Sequence, residues 1–158
     1  VFSIDDYPYG DEKLILAIAS ARGKQDVVPR IEKLGGVFTS FIHPLALVAN
    51  TAVVGKAAVL LPNVIISNDA KIGDFVSINL ASTIGHNVIL DDFVTISSQN
   101  DLCGYVNVGK GALLGSNVTI IPKKKIGANS TVGAGSVVVR NVVADSSVFG
   151  NPAKRLPS

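Results

Sequence analysis

From Val48 to Val138, every sixth residue is Val, Leu or Ile: Val48, Val54, Leu60, Ile66, Ile72, Ile78, Ile84, Leu90, Ile96, Leu102, Val108, Leu114, Ile120, Ile126, Val132 and Val138. Ile42 extends the series one block earlier. A helical period of 3.6 does not keep one position apolar at every sixth step, whereas a strand of a few residues plus a corner fits six positions. Four places after each aliphatic residue stands a small or β-branched one, with Asn100 and Lys124 as the exceptions. The place directly after the aliphatic is glycine in seven of the sixteen blocks, including Gly85 and Gly115. Each block therefore reads as one short face of a narrow solenoid, with an aliphatic ladder inside and glycine supplying a permissive backbone at the corner.

The two ends leave this pattern. In residues 1–41, Leu14 to Ser20 reads as a buried strand, Asp26 to Leu34 as an amphipathic helix with Pro29 in its first turn, and Val37 to Phe41 as a second strand after the Gly35-Gly36 stop. That is a βαβ outline. Residues 144–158 read as a cap or tail with a basic exit at Lys154-Arg155.

Composition narrows the function classes. The 14 Lys and Arg against 12 Asp and Glu leave a net charge of only +2, too little for a nucleic-acid footprint. The longest apolar run is the six residues Leu14 to Ala19, far short of the ~18 that insertion in a bilayer needs. A single cysteine, Cys103, and no secretory leader pattern at the start fit a reducing compartment, so a cytoplasmic protein is expected. With no methionine anywhere, the stretch is expected to begin inside a longer chain.

More specific is the segment Thr83 to Asp92, with Ile84-Gly85-His86-Asn87, followed by Phe93-Val94-Thr95-Ile96-Ser97, Gly104, Gly115 and Gly150-Asn151-Pro152-Ala153-Lys154. Together with residues 14–41 it resembles the hexapeptide-repeat acetyltransferases of sialic acid and of nucleotide-linked 4-amino sugars. The resemblance implies a left-handed parallel β-helix over residues 42–143, three hexads to a coil, in five to six coils. It also implies that residues 1–41 are the later part of a Rossmann-like, sugar-nucleotide-binding α/β subdomain whose first half lies upstream.

It implies an activity as well: direct acetyl transfer from acetyl-CoA to the amine of a nucleotide-linked 4-amino sugar in surface glycan biosynthesis. Carried over by position, His86 is the general base, since an attacking amine or hydroxyl must lose a proton to a neutral imidazole. The Gly104 backbone N–H, one 18-residue coil above, is the candidate oxyanion donor. Where this family often has Glu or Asp after its histidine, this chain has Asn87, which can orient the ring but adds no charge. Asp69, one coil below Asn87, is a candidate to supply the missing polarisation.

For acetyl-CoA, position in the family points to Thr95, Gly104, Ser116 and Ala134. The Lys123-Lys124-Lys125 run, Lys125 above all, and Arg140 are candidates for its phosphates. His43 reads as a junction residue and Cys103 as inert packing. No metal is expected: two histidines, His43 and His86, cannot form a three-histidine zinc site like that of hexapeptide-repeat carbonic anhydrases. A C₃ homotrimer is implied, with sites between neighbours. The rival readings are a sialic acid O-acetyltransferase and a non-catalytic solenoid remnant.

Overall fold

A computed structural model describes residues 3–157. Each aliphatic residue of the hexad series ends a two-residue strand, as in Thr83–Ile84, Ile89–Leu90 and Thr95–Ile96. Strands 18 residues apart pair in parallel, Ile84 lying between Ile66 and Leu102. The chain thus cycles through three flat faces of eight, six and five strands, a parallel β-solenoid of about six turns. Two residues suffice for a strand because pairing is repeated above and below: Gly85 N–H donates to Leu102 O at 2.8 Å, and Asp91 N–H to Val108 O at 2.9 Å.

The interior is the ladder read from the sequence. Ile78, Ile84, Ile96, Leu102, Leu114 and Ile120 are wholly buried, and Val88, Val94, Val106 and Val118 fill the gaps between them. Asn100 enters this core without being orphaned. Its Nδ2 donates to Ser97 O at 2.6 Å and its Oδ1 accepts from Val118 N–H at 2.9 Å, which is how a buried amide is tolerated.

The corners correct one expectation. From Ala57 to Gly135 every sixth residue has φ between 53° and 71°, and glycine holds only two of these fourteen left-handed positions. The left-handed residue is three places after the inward aliphatic, and Asn63, Asp69, Asn87, Asn117 and Asn129 suit it by chemistry. The frequent glycine directly after the aliphatic has an ordinary φ and answers to space instead. A Cβ on Gly85 would stand 2.7 Å from Leu102 O, and one on Gly115 would stand 2.6 Å from Ala134 N. Coil-to-coil contact, not backbone freedom, requires glycine there.

Parallel pairing also continues past residue 143. Val142 bridges to Ile126 and Val148 pairs with Val132, so the last coil is contracted to a 16-residue step and runs to Phe149. The hexad phase is lost after Val138 because two residues are missing from one turn, although the solenoid goes on. Lys154–Arg155 then folds back antiparallel on Ser147–Phe149.

Before the solenoid, β1 (Lys13–Leu14), α1 (Ala21–Lys33) and β2 (Val37–Phe38) form one βαβ unit whose strands pair in parallel. A Rossmann-like layer is not evident among the described residues. The expected long strands are two residues each, and 15–20 lie outside the sheet. The helix starts five residues earlier than Asp26, because Ser20 Oγ accepts from Gly23 N–H at 3.2 Å and caps it. Pro29 consequently lies in the helix interior, not in its first turn.

α1 lies on the eight-stranded face. Lys24 is fully buried there, and its ammonium donates to Phe75 O at 2.9 Å, Ser77 Oγ at 2.8 Å and Val94 O at 3.5 Å. Phe38 meets Phe75 edge-on at 5.4 Å, and Phe75 stacks on Phe93 at 5.2 Å, in a second small core with Leu16, Val28 and Ala57.

Candidate active site

The turn carrying His86 leaves the six-stranded face at Ile84 and enters the five-stranded face at Ile89. Along that edge the coils stack Asn68-Asp69, His86-Asn87, Gly104-Tyr105 and Pro122-Lys123 in one column. Backbone bonds tie the steps together: Asn87 N–H to Asn68 O, Tyr105 N–H to His86 O and Lys123 N–H to Gly104 O, each 3.0 Å. His86 projects outward and is exposed.

Three neighbours define the imidazole. Asn87 Oδ1 lies 3.1 Å from Nδ1, and as an acceptor it selects the tautomer with the proton on Nδ1, leaving the Nε2 lone pair free. Gly104 is buried beneath the ring: a Cβ there would fall 2.5 Å from Nε2 and 2.6 Å from Cε1. The Gly104 N–H donates to no group among the described residues. Tyr105 stands edge-to-face with the imidazole, ring centroids 5.0 Å apart at 90°. Nothing in the hexad pattern singles out Tyr105, although its place 18 residues after Asn87 puts it at the same corner one coil up.

Asp69 is in register with Asn87, yet no hydrogen bond joins their side chains; Asp69 N–H donates to Thr51 Oγ1 at 2.9 Å. Cys103 precedes Gly104, but burial and the Asp101 carboxylate push its thiol up, away from thiolate chemistry. His43 accepts from Leu45 N–H through Nδ1 at 3.1 Å and so is engaged in the turn that starts the solenoid. No group of three His, Cys, Asp or Glu side chains is placed to hold a metal among the described residues, nor is any helix long and apolar enough to cross a membrane.

The residues assigned to the acetyl donor separate. Ser116 and Ala134 occupy successive steps of the edge between the eight- and six-stranded faces, a different edge from that of His86. Lys125 is exposed on the five-stranded face, in the row of Ile89 and Asn107 beside the histidine edge. Lys124 is half-buried at its inward slot. Thr95 is a correction: it is buried under the N-terminal unit, where its hydroxyl donates to Ala19 O at 2.8 Å. That bond holds residues 15–20 to the solenoid and withdraws Thr95 from a ligand's reach.

A groove of about 620 Å³ opens beside the eight-stranded face, between the start of α1 (Arg22, Gln25) and the upper coils (Leu113, Asn129, Thr131, Asp145). In a three-faced prism the edge between the six- and five-stranded faces lies opposite the eight-stranded face. The groove reaches the edge between the five- and eight-stranded faces at Gly111 and Asn129, so groove and imidazole sit at different edges of one chain.

No family model matches the chain. GDP-perosamine N-acetyltransferase of Escherichia coli O157:H7 is 32% identical over 154 residues, covering 94% of this chain and 70% of that protein. Serine acetyltransferase 4 of Arabidopsis thaliana is 38% identical over 122 residues, 77% of this chain, and the chain spans only 30% of its length. A histidine-to-asparagine variant of perosamine N-acetyltransferase from Caulobacter crescentus, solved with CoA and GDP-perosamine, superposes with a TM-score of 0.91 at 32% identity, over 94% of this chain and 71% of that one.

Proposed function

The chain belongs to the family of hexapeptide-repeat acetyltransferases that includes GDP-perosamine N-acetyltransferase, and from that premise we propose that it moves an acetyl group from acetyl-CoA to the amine of a nucleotide-linked 4-amino sugar, with His86 as the base. The observation that carries this reading is the histidine edge: an exposed imidazole with Nδ1 engaged by Asn87 and Nε2 directly over the Gly104 backbone. The likeness to the Caulobacter protein, solved with both CoA and GDP-perosamine, supports the donor and the class of acceptor.

In this reading His86 Nε2 takes a proton from the amine as its nitrogen bonds to the thioester carbonyl carbon. The Gly104 N–H donates to the carbonyl oxygen while negative charge collects there. As the carbon–sulfur bond breaks, His86 returns the proton to the departing sulfur, so the ring ends neutral and ready for another turnover. Ser116 and Ala134 line the donor's path and Lys125 meets its phosphates.

We also propose a homotrimer of left-handed prisms with the sites between copies. Two features support it. The donor edge and the large groove both lie away from His86 on one chain, so they reach an imidazole only on a neighbour. The faces flanking His86 also carry exposed aliphatic side chains, Leu47 at 64% and Ile65 on one, Val53 at 59% and Ile89 on the other. Residues 1–41 then belong to the subdomain that holds the sugar nucleotide, and the protein works in the cytoplasm.

The test is release of CoA from acetyl-CoA with a panel of UDP- and GDP-linked 4-amino sugars and sialic acid. Turnover of one amino sugar with N-acetylated product is expected. Turnover of sialic acid alone would replace the reading by O-acetylation, and an absence of both turnover and acetyl-CoA binding would leave a bare solenoid.

A further inference from the structure

We propose that Tyr105 is a positioning residue for His86, acting through its ring and not its hydroxyl. This rests on the reading of His86 as the base and adds a residue to it. Tyr105 is 51% exposed, so it contributes little to the core, and its hydroxyl has no hydrogen-bond partner among the described residues. What it touches is the imidazole, at 5.0 Å and perpendicular, the favoured geometry for two aromatic rings.

Its backbone fixes where it stands. Tyr105 holds the left-handed corner position, φ 62°, as Phe75 and Phe93 do at another edge, and its N–H donates to His86 O at 3.0 Å. The base and its aromatic neighbour are therefore tied by a main-chain bond across the coils. Gly104 lies below the ring, Asn87 Oδ1 at Nδ1 and Tyr105 against its side, so an otherwise exposed imidazole has one orientation to occupy. A neutral imidazole free in water carries its proton mainly on Nε2; here the proton is required on Nδ1, and any rotation that leaves Asn87 gives up the free Nε2 lone pair. Tyr105 blocks that rotation.

The test uses imidazole ¹⁵N shifts and steady-state kinetics on the wild type, Tyr105→Phe and Tyr105→Ala. With only two histidines in the chain, a His43→Gln background assigns His86 outright. At a pH where histidine is neutral, wild type and Tyr105→Phe are expected to show the Nδ1–H tautomer, and Tyr105→Ala to shift toward the averaged values of free imidazole. In turnover, Tyr105→Phe retains kcat, while Tyr105→Ala loses about 3- to 10-fold in kcat with KM for acetyl-CoA unchanged. A Tyr105→Ala spectrum identical to wild type overturns the proposal, as does a Tyr105→Phe variant as impaired as Tyr105→Ala, which would assign the role to the hydroxyl. The spectra decide the matter even if no acceptor is turned over, an outcome that counts against the proposed reaction and not against the positioning.

Discussion

Ile84 and Lys24 are both sealed from solvent, and they arrive there by opposite routes. Ile84 is buried because of its number: it is one rung of a hexad ladder, and any aliphatic residue at that step would point inward. Lys24 is buried because of its partners, three oxygens offered by two coils of the eight-stranded face, and nothing in the helix itself demands it. The solenoid is thus a structure that repeats its own instructions, while the βαβ unit is positioned by a surface it did not build. The consequence for function is a rigid edge that presents His86 and a docked unit that forms one wall of the groove.

The largest effect belongs to the ladder. Leu102→Ala removes a wholly buried side chain in the coil above His86 and is expected to cost about 2–5 kcal/mol in chemical denaturation. A loss below ~1 kcal/mol would mean that neighbouring coils can close the gap and that the repeat is less rigid than argued.

Next comes the docked unit. Burial brings the Lys24 ammonium down to about 8 from its ordinary 10.5. The unfolded chain keeps this proton up to about pH 10.5 and the folded chain gives it up near 8, so folding releases a proton within that window. Stability should therefore rise with pH there, by on the order of 2–3 kcal/mol across the window. Below pH 8 the cost of burying the charge is fully present. Urea midpoints at pH 7.5 and 10 for the wild type and Lys24→Met check this: the wild type gains on the variant as pH rises. Parallel pH profiles would show that the lysine is not held in the interface.

The smallest change in stability is expected at Gly104. Gly104→Ala puts a methyl carbon against an exposed side chain, the His86 imidazole, which yields at the expense of its contacts with Asn87 and Tyr105, unlike Gly85→Ala, whose Cβ meets the main-chain oxygen of Leu102. We expect less than ~1 kcal/mol for the former and about 1–3 kcal/mol for the latter by thermal or urea unfolding. Displacing the imidazole should still lower turnover by Gly104→Ala at least ~10-fold. Equal destabilisation would mean that both glycines serve only coil contact.

These two regions were unequally legible in the sequence. The strands, the buried face and the stacking of Gly104 over His86 follow from sixes and eighteens, because in a solenoid sequence distance is spatial distance. The role of the glycines is not legible there, since spacing alone does not distinguish a strained corner from a crowded one. Nor is the end of the repeat, because a two-residue contraction hides Val142 and Val148 from a strict count. In the βαβ unit the Ser20 cap outweighed the polar composition of Arg22 to Gln25, and the burial of Lys24 and Thr95 depends on contacts across 51 and 76 residues that no local pattern encodes. At the proposed site, the 18-residue spacing alone brings His86, Asn87 and Gly104 to one corner, whereas Tyr105 stands out only as a ring beside a ring.

The measurement that bears most directly on the account is the turnover of acetyl-CoA and a nucleotide-linked 4-amino sugar by wild type and His86→Ala, with acetyl-CoA binding measured on both. The account predicts a loss of on the order of 10²-fold or more in kcat at unchanged donor affinity. A His86→Ala protein that binds the donor and still acetylates at the wild-type rate would contradict it.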